Sequence, residues 1–212
     1  MRSVVFTLCL ALALACGDDG SGKDESTDKD DQQKTDPQVS VPDTEEALKN
    51  LMTSLVSDVR SGNGDRAAET LQNLALPKPR DFFMALYSDA IVDRLVEDYG
   101  DAREHLPELA DIIRGQLDKG RATVVVESFD DPNDRKSVGY QSIALREMRN
   151  RKALYSVRLV GKEDGDSFHI WSFMHDGEGF RWVGKLLRVK ADIPKKSRKR
   201  LELRTEQSML FE

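Results

Sequence analysis

The sequence predicts an α+β fold, with N-terminal helices packed on a curled, cone-like antiparallel sheet. Three observations predict it. Apolar residues between positions 43 and 120 recur at helical spacing. Beyond position 120 they gather instead into short runs rich in β-branched and aromatic residues. The last three runs are separated by Glu163-Asp164-Gly165-Asp166 and Asp176-Gly177-Glu178-Gly179, turn sequences of hairpin length. Helices followed by an antiparallel meander leave the helices on one side of a sheet.

The helical half divides at its breakers. Asp43-Thr44-Glu45-Glu46 reads as a capping box, with Asp43 accepting from the backbone and Glu46 reaching back. Leu48, Leu51, Met52, Leu55, Val56 and Val59 then mark one face of a first helix, which Gly62-Asn63-Gly64 ends. Asp65 is placed to cap a second helix carrying Ala67, Ala68, Leu71, Leu74 and Ala75, with Pro77 and Pro79 closing it. Phe82, Phe83, Leu86, Tyr87, Ala90, Ile91, Leu95 and Tyr99 predict one continuous third helix over residues 81–99. A fourth starts near Leu106 with Pro107 in its first turn, and Gly120 suits its C-terminal cap.

Four strands follow, over residues 122–129, 153–160, 167–175 and 179–189. A polar loop at 130–138 and a short helix within 141–151, bearing Ile143, Leu145 and Met148, join the first strand to the second.

The N-terminus is organised differently. Arg2 precedes an apolar run over residues 4–15, interrupted only by Thr7. As a helix this run covers about 18 Å, too little for a hydrocarbon core of about 30 Å, so it reads as the apolar region of a secretory leader. Leu12-Ala13-Leu14-Ala15-Cys16 resembles a lipobox, the cleavage site of bacterial lipoprotein signal peptides, with Ala13 where Leu is the usual residue. The resemblance implies cleavage before Cys16, lipidation (palmitate among the acyl groups) of its sulfur, and anchoring outside the cytoplasm. Each buried CH₂ contributes about 0.8 kcal/mol to such an anchor. Gly17, rather than Asp, after the cysteine points to the outer membrane more than the inner one.

The implied division is a signal peptide at 1–15, a lipidated, disordered acidic tether at 16–42, one folded domain at 43–190 and a basic tail at 191–212. Residues 18–36 hold eight acids against three lysines and no aromatic, too little apolar surface to offset the entropy of ordering. The only other cysteine, Cys9, lies in the leader, so the mature domain has no disulfide, thiol nucleophile or cysteine metal ligand. The formal charge of −6 gives no sign of nucleic-acid binding. Lys195, Lys196, Arg198, Lys199 and Arg200 are a solvated tail or a contact for anionic headgroups or for the acidic tether.

The element order resembles the cystatin-like cone fold shared by nuclear transport factor two and ketosteroid isomerase. Residues 168–174 (FHIWSFM) and 179–185 (GFRWVGK) resemble the closing hairpin of uncharacterised bacterial secreted proteins. These are fold motifs and carry no catalytic identity. The cone resemblance implies a pocket between sheet and helices, which Tyr87, Tyr155, His169, Trp171 and Trp182 would line, with Asp89 and Asp93 as acids near it. The plainer reading makes the two aspartates surface charges and the aromatics core. His169 and His175, six residues apart, share a face if their strand runs straight. No catalytic residue, metal site or cofactor is assigned. The expected function is a non-enzymatic accessory domain of the cell envelope, binding a small ligand or an envelope protein. A cone-pocket isomerase or hydrolase and a structural envelope protein are the alternatives. A deep cavity on the concave face of the sheet would favour ligand binding or catalysis, and a filled one would leave surface interactions.

Overall fold

The computed structural model describes residues 41–189, apart from Arg135, Val138 and residues 163–165. The leader, Cys16, the tether and the basic tail lie outside the described residues, as does most of the Glu163-Asp164-Gly165-Asp166 turn.

The helical half contains α1 (Glu45–Ser61), α2 (Gly64–Asn73), α3 (Pro79–Leu86), α4 (Asp89–Glu104) and α5 (Leu109–Asp118), the last preceded by a 3₁₀ turn at Leu106–Glu108. The strands are β1 (Thr123–Phe129), β2 (Leu154–Val160), β3 (Ser167–His175) and β4 (Phe180–Trp182), with α6 (Tyr140–Glu147) between β1 and β2. The sheet is antiparallel throughout, in the order β1-β2-β3-β4, and is not closed into a barrel. The fold class is α+β, as the change of period predicts.

The start of α1 differs in detail from the expected capping box. Thr44 is the cap, its hydroxyl accepting from Ala47 N–H at 3.2 Å. Asp43 instead accepts from the Tyr155 hydroxyl at 2.8 Å, and Glu45 from the Ser128 backbone N–H, also at 2.8 Å. The two acids thus tie the beginning of α1 to the sheet. Gly62, at φ 76, ends the helix in the left-handed conformation that only glycine adopts without strain. At α2, Asn63 is the cap residue and Asp65 sits inside the first turn.

The expected helix over 81–99 is two helices. Tyr87 adopts an extended conformation (φ −121, ψ 170) between α3 and α4. The carbonyls this exposes are taken up by the segment after α6: Arg149 N–H donates to Leu86 O at 2.8 Å and the Asn150 amide to Ala85 O at 2.7 Å. Apolar spacing runs unbroken across the join, so the break is set by tertiary partners rather than by local pattern.

The pleat sorts side chains into two cores. Val124 and Val126 of β1, Tyr155, Val157 and Leu159 of β2, and Phe168, Ile170 and Phe173 of β3 meet α1, α2 and α5. The second core joins α3, α4 and α6 to Phe129, Leu154 and Met174 at the other end of the sheet. In it, Leu76 N–H donates to the buried Tyr99 hydroxyl at 2.6 Å.

The expected fourth strand, 179–189, stops at Trp182. Gly184 (φ 69) and Leu186 (φ 52) turn the chain away from the sheet and lay a 3₁₀ turn, Leu187–Val189, on α4. There Arg188 lies 2.7 Å from Glu97, 3.7 Å from Asp98 and 3.5 Å from Asp101, while Leu187 N–H donates to Asp98 at 3.0 Å. Local strand propensity loses to this array of charged contacts.

Two glycine substitutions should act in opposite directions. A Cβ on Gly184 would meet the Ala102 Cβ at 3.3 Å, at a positive φ. Gly184→Ala is therefore expected to destabilise by about 1–2 kcal/mol. Gly100 lies within α4 with open space around it, and Gly100→Ala should stabilise by up to about 1 kcal/mol. Urea unfolding of the two variants against wild type measures both.

Candidate binding groove

A concavity lies on the outer side of the first core. It runs between α2 and the 106–110 segment, with the end of α1 at its head, and encloses about 330 Å³. Its floor is Val59, Ala67, Leu71, Leu106 and Ala110. Small side chains on both walls, Ala67 and Ala68 on one and Pro107 and Ala110 on the other, leave the space that larger residues would fill. Arg103 and Arg114 supply positive charge among the lining residues, and Arg114 also pairs with Asp111 at 2.8 Å. Gln72 is the remaining polar side chain lining it. The lining offers apolar contact and two guanidinium groups, suited to an apolar body with an acceptor or anionic end. It offers no carboxylate, imidazole or hydroxyl for proton transfer.

The residues expected to line a sheet pocket are distributed over three places. Tyr155 faces the first core, its ring edge-on to Phe180 at 5.1 Å and its hydroxyl on Asp43. Burial and that acidic neighbour, with Glu45 and Asp130, push its ionisation far up. Tyr87 is buried in the second core, 6.4 Å from the Phe83 ring. His169 and Trp171 stack on the opposite, partly open face of the sheet, ring centroids 4.7 Å apart at 15°. His169 stands opposite Arg158, which pairs with Glu127 at 3.3 Å. Trp182 packs against the first core and its indole N–H donates to the Trp171 carbonyl. The structure brings His169 and Trp171 together, adds Trp182 through a backbone atom, and separates both tyrosines from them.

The register explains this separation. Tyr155 pairs with Phe173 but Val157 with Ile170, so β3 carries an extra residue in the 170–173 interval. A bulge of this kind reverses the inward and outward sides of the strand beyond it. His169 therefore points away from the first core while His175, six residues later, turns toward it and meets the Phe180 ring at 5.2 Å. The straight-strand expectation that both histidines share a face does not hold. His175 Nδ1 accepts from Gly177 N–H at 3.1 Å, so its ring hydrogen sits on Nε2 and is donated to Val41 O at 2.8 Å.

The side of the sheet that faces α1, α2 and α5 is filled. Val157, Leu159 and Phe173 are fully buried there. Asp93 pairs with Arg80 at 2.7 Å on the surface, and Asp89 lies in the first turn of α4. His105 is exposed beside Glu108. Neither aspartate forms an acid–base pair with Tyr155 or His169. The groove itself escaped sequence reasoning, which read Ala67, Ala68 and Leu71 as an ordinary buried face. The available signal was the density of small residues at 67, 68, 75 and 110.

No family model, curated protein or solved structure matches this chain.

The orphaned Tyr87 hydroxyl yields a test. It is buried without a hydrogen-bond partner among the described residues, and burial raises its ionisation well above the ordinary value of 10.0. Above that pH the unfolded chain loses the proton while the folded chain retains it, so stability falls as pH rises. Tyr87→Phe should leave stability at pH 7 unchanged or slightly higher and reduce its loss between pH 9 and 11. Guanidinium unfolding across that range checks both outcomes.

Proposed function

We propose that the chain is a bacterial lipoprotein, anchored through Cys16 to the cell envelope and presenting a non-enzymatic binding domain there. The observation that carries the reading is the N-terminal order: Arg2, an apolar run too short to span a bilayer, Ala15-Cys16, then an acidic hydrophilic stretch. The anchoring is to the outer membrane rather than the inner. The resemblance to the cystatin-like cone fold belongs to the same proposal, supported by helices preceding an open antiparallel meander.

The binding role rests on where open space is found. The side of the sheet under α1, α2 and α5 is filled by apolar side chains, which removes support for a cone-pocket isomerase or hydrolase there. The groove beside α2 remains, with an apolar floor and arginines in its lining. A small amphiphilic ligand or an apolar segment of an envelope protein fits that chemistry.

Cys16→Ser tests the anchor. Wild-type protein should take up labelled palmitate and stay with membranes through a high-salt wash, whereas the variant should take up none and appear in the soluble fraction. Equal membrane retention of both would exclude the lipid anchor. Native mass spectrometry of the protein from its host tests the groove. Any co-purifying mass should be lost on Ala68→Trp, which places an indole in the space, and kept on Gly100→Ala, which lies on α4 outside the lining.

A further inference from the structure

The two edges of the sheet are treated differently. At the β4 edge, Trp182 N–H donates to Leu74 O at 2.8 Å and the Arg181 guanidinium reaches Asn73 O, so the chain closes this edge itself. At the β1 edge the only comparable closure among the described residues is at one end, where Ser128 N–H donates to the Glu45 carboxylate.

That single bond fixes the polarity of the strand. Ser128 pairs with Tyr155 in the register, and its N–H is turned away from β2. Antiparallel pairs alternate, so Val126 opposite Val157 and Val124 opposite Leu159 also turn their N–H and C=O groups outward. Gly161 agrees: two residues beyond Leu159, its N–H runs the other way, to Asp166 O across the β2–β3 turn at 2.8 Å. The outward groups of Val124 and Val126 have no partner among the described residues.

β1 also lacks the usual protections of an edge. Its sequence, TVVVESF, holds no proline and no lysine, and its ladder to β2 runs without a bulge. Beside it lies a cleft of about 170 Å³ lined by Glu45, Glu46, Lys49, Val124, Val125 and Val126. Asp43 and Asp130 add negative charge close by, both acting on Tyr155 together with Glu45. The local balance is acidic around a strand with free hydrogen-bonding groups.

We propose that β1 is a strand-addition site for an extended segment of a partner protein bearing Lys or Arg at alternate positions. The added strand exchanges backbone hydrogen bonds with Val124 and Val126, and its basic side chains face the Glu45–Glu46 end of α1. The site is independent of the groove and of Cys16, so it stands or falls separately from the lipoprotein reading.

The test uses the full-length chain as isolated from its host and a synthetic peptide of alternating lysine and valine. Two probes control it: the glutamate–valine counterpart, and a lysine–valine peptide N-methylated at alternate amides, which keeps the charge but cannot form the ladder. In the free protein the amides of Val124 and Val126 should exchange with solvent quickly while those of Val125 and Glu127 are protected. The lysine–valine peptide should slow exchange at Val124 and Val126. Binding should weaken at least about tenfold with either control probe, with Glu46→Lys, and with Val126→Pro, which deletes one outward N–H without touching the β2 ladder. Equal binding of the N-methylated probe, or no change in exchange at Val124 and Val126, overturns the proposal. So does concentration-dependent dimerisation that protects these amides without any probe, since the occupant is then a second copy. Binding that appears only after removal of residues 190–212 overturns it in favour of this chain's own basic run.

Discussion

The double burial of β2 is the constraint on which the rest depends. Leu154, Tyr155, Ser156 and Val157 are consecutive and all buried, so both faces of the strand are covered over that stretch. Tyr155, Val157 and Leu159 belong to the core under α1, α2 and α5, and Leu154 to the core under α3, α4 and α6. Because side chains alternate across a strand, this one segment assigns each helix layer to a side. A slip of one residue would exchange the two sets, placing Arg158 and Ser156 in the first core without partners. The hydrophobic cost of that exchange is what holds the register.

The bulge in β3 refines the arrangement. Without it, Trp171 and Phe173 would continue on the side of His169. With it, Phe173 enters the first core and Trp171 remains beside His169, where its carbonyl receives the Trp182 indole N–H. The same reversal points His175 at Val41, while Tyr155 reaches Asp43, so the first described residues of the chain are held by two side chains from the sheet. A backbone link adds to these, Val41 N–H donating to Glu178 O at 3.4 Å.

Much of this was legible from residue patterns. Leu48, Met52, Leu55 and Val59 mark α1, Gly62 and Gly120 end α1 and α5, and the β-branched run at 123–126 marks β1. These signals are local, and local physics decides them. The misread features were decided at a distance. Apolar spacing runs through Leu86-Tyr87-Ser88 and hides the break between α3 and α4, where Ser88 is the cap residue of α4 and the carbonyls left at the end of α3 accept from donors on the distant Arg149 and Asn150. β4 looks long until Arg188 finds three acids on α4. The faces of His169 and His175 depend on one extra residue in β3 that alternation cannot reveal. As for the candidate site, its aromatic residues were visible but their grouping was not, since five side chains on one sheet and its neighbouring helices end in two cores and one open face. The groove was hidden because small residues signal space only once their neighbours are known.

Hydrogen exchange at β2 tests this account most directly. If β2 is the element that both cores require, its amides from Leu154 to Leu159 exchange only when the whole domain unfolds, with a free energy equal to that from denaturant unfolding. The amides of α3 and α2, each covered by one core alone, exchange through smaller openings. The account is contradicted if β2 amides exchange through an opening that leaves α4 or α1 protected, because a layer that persists without β2 is not organised by it.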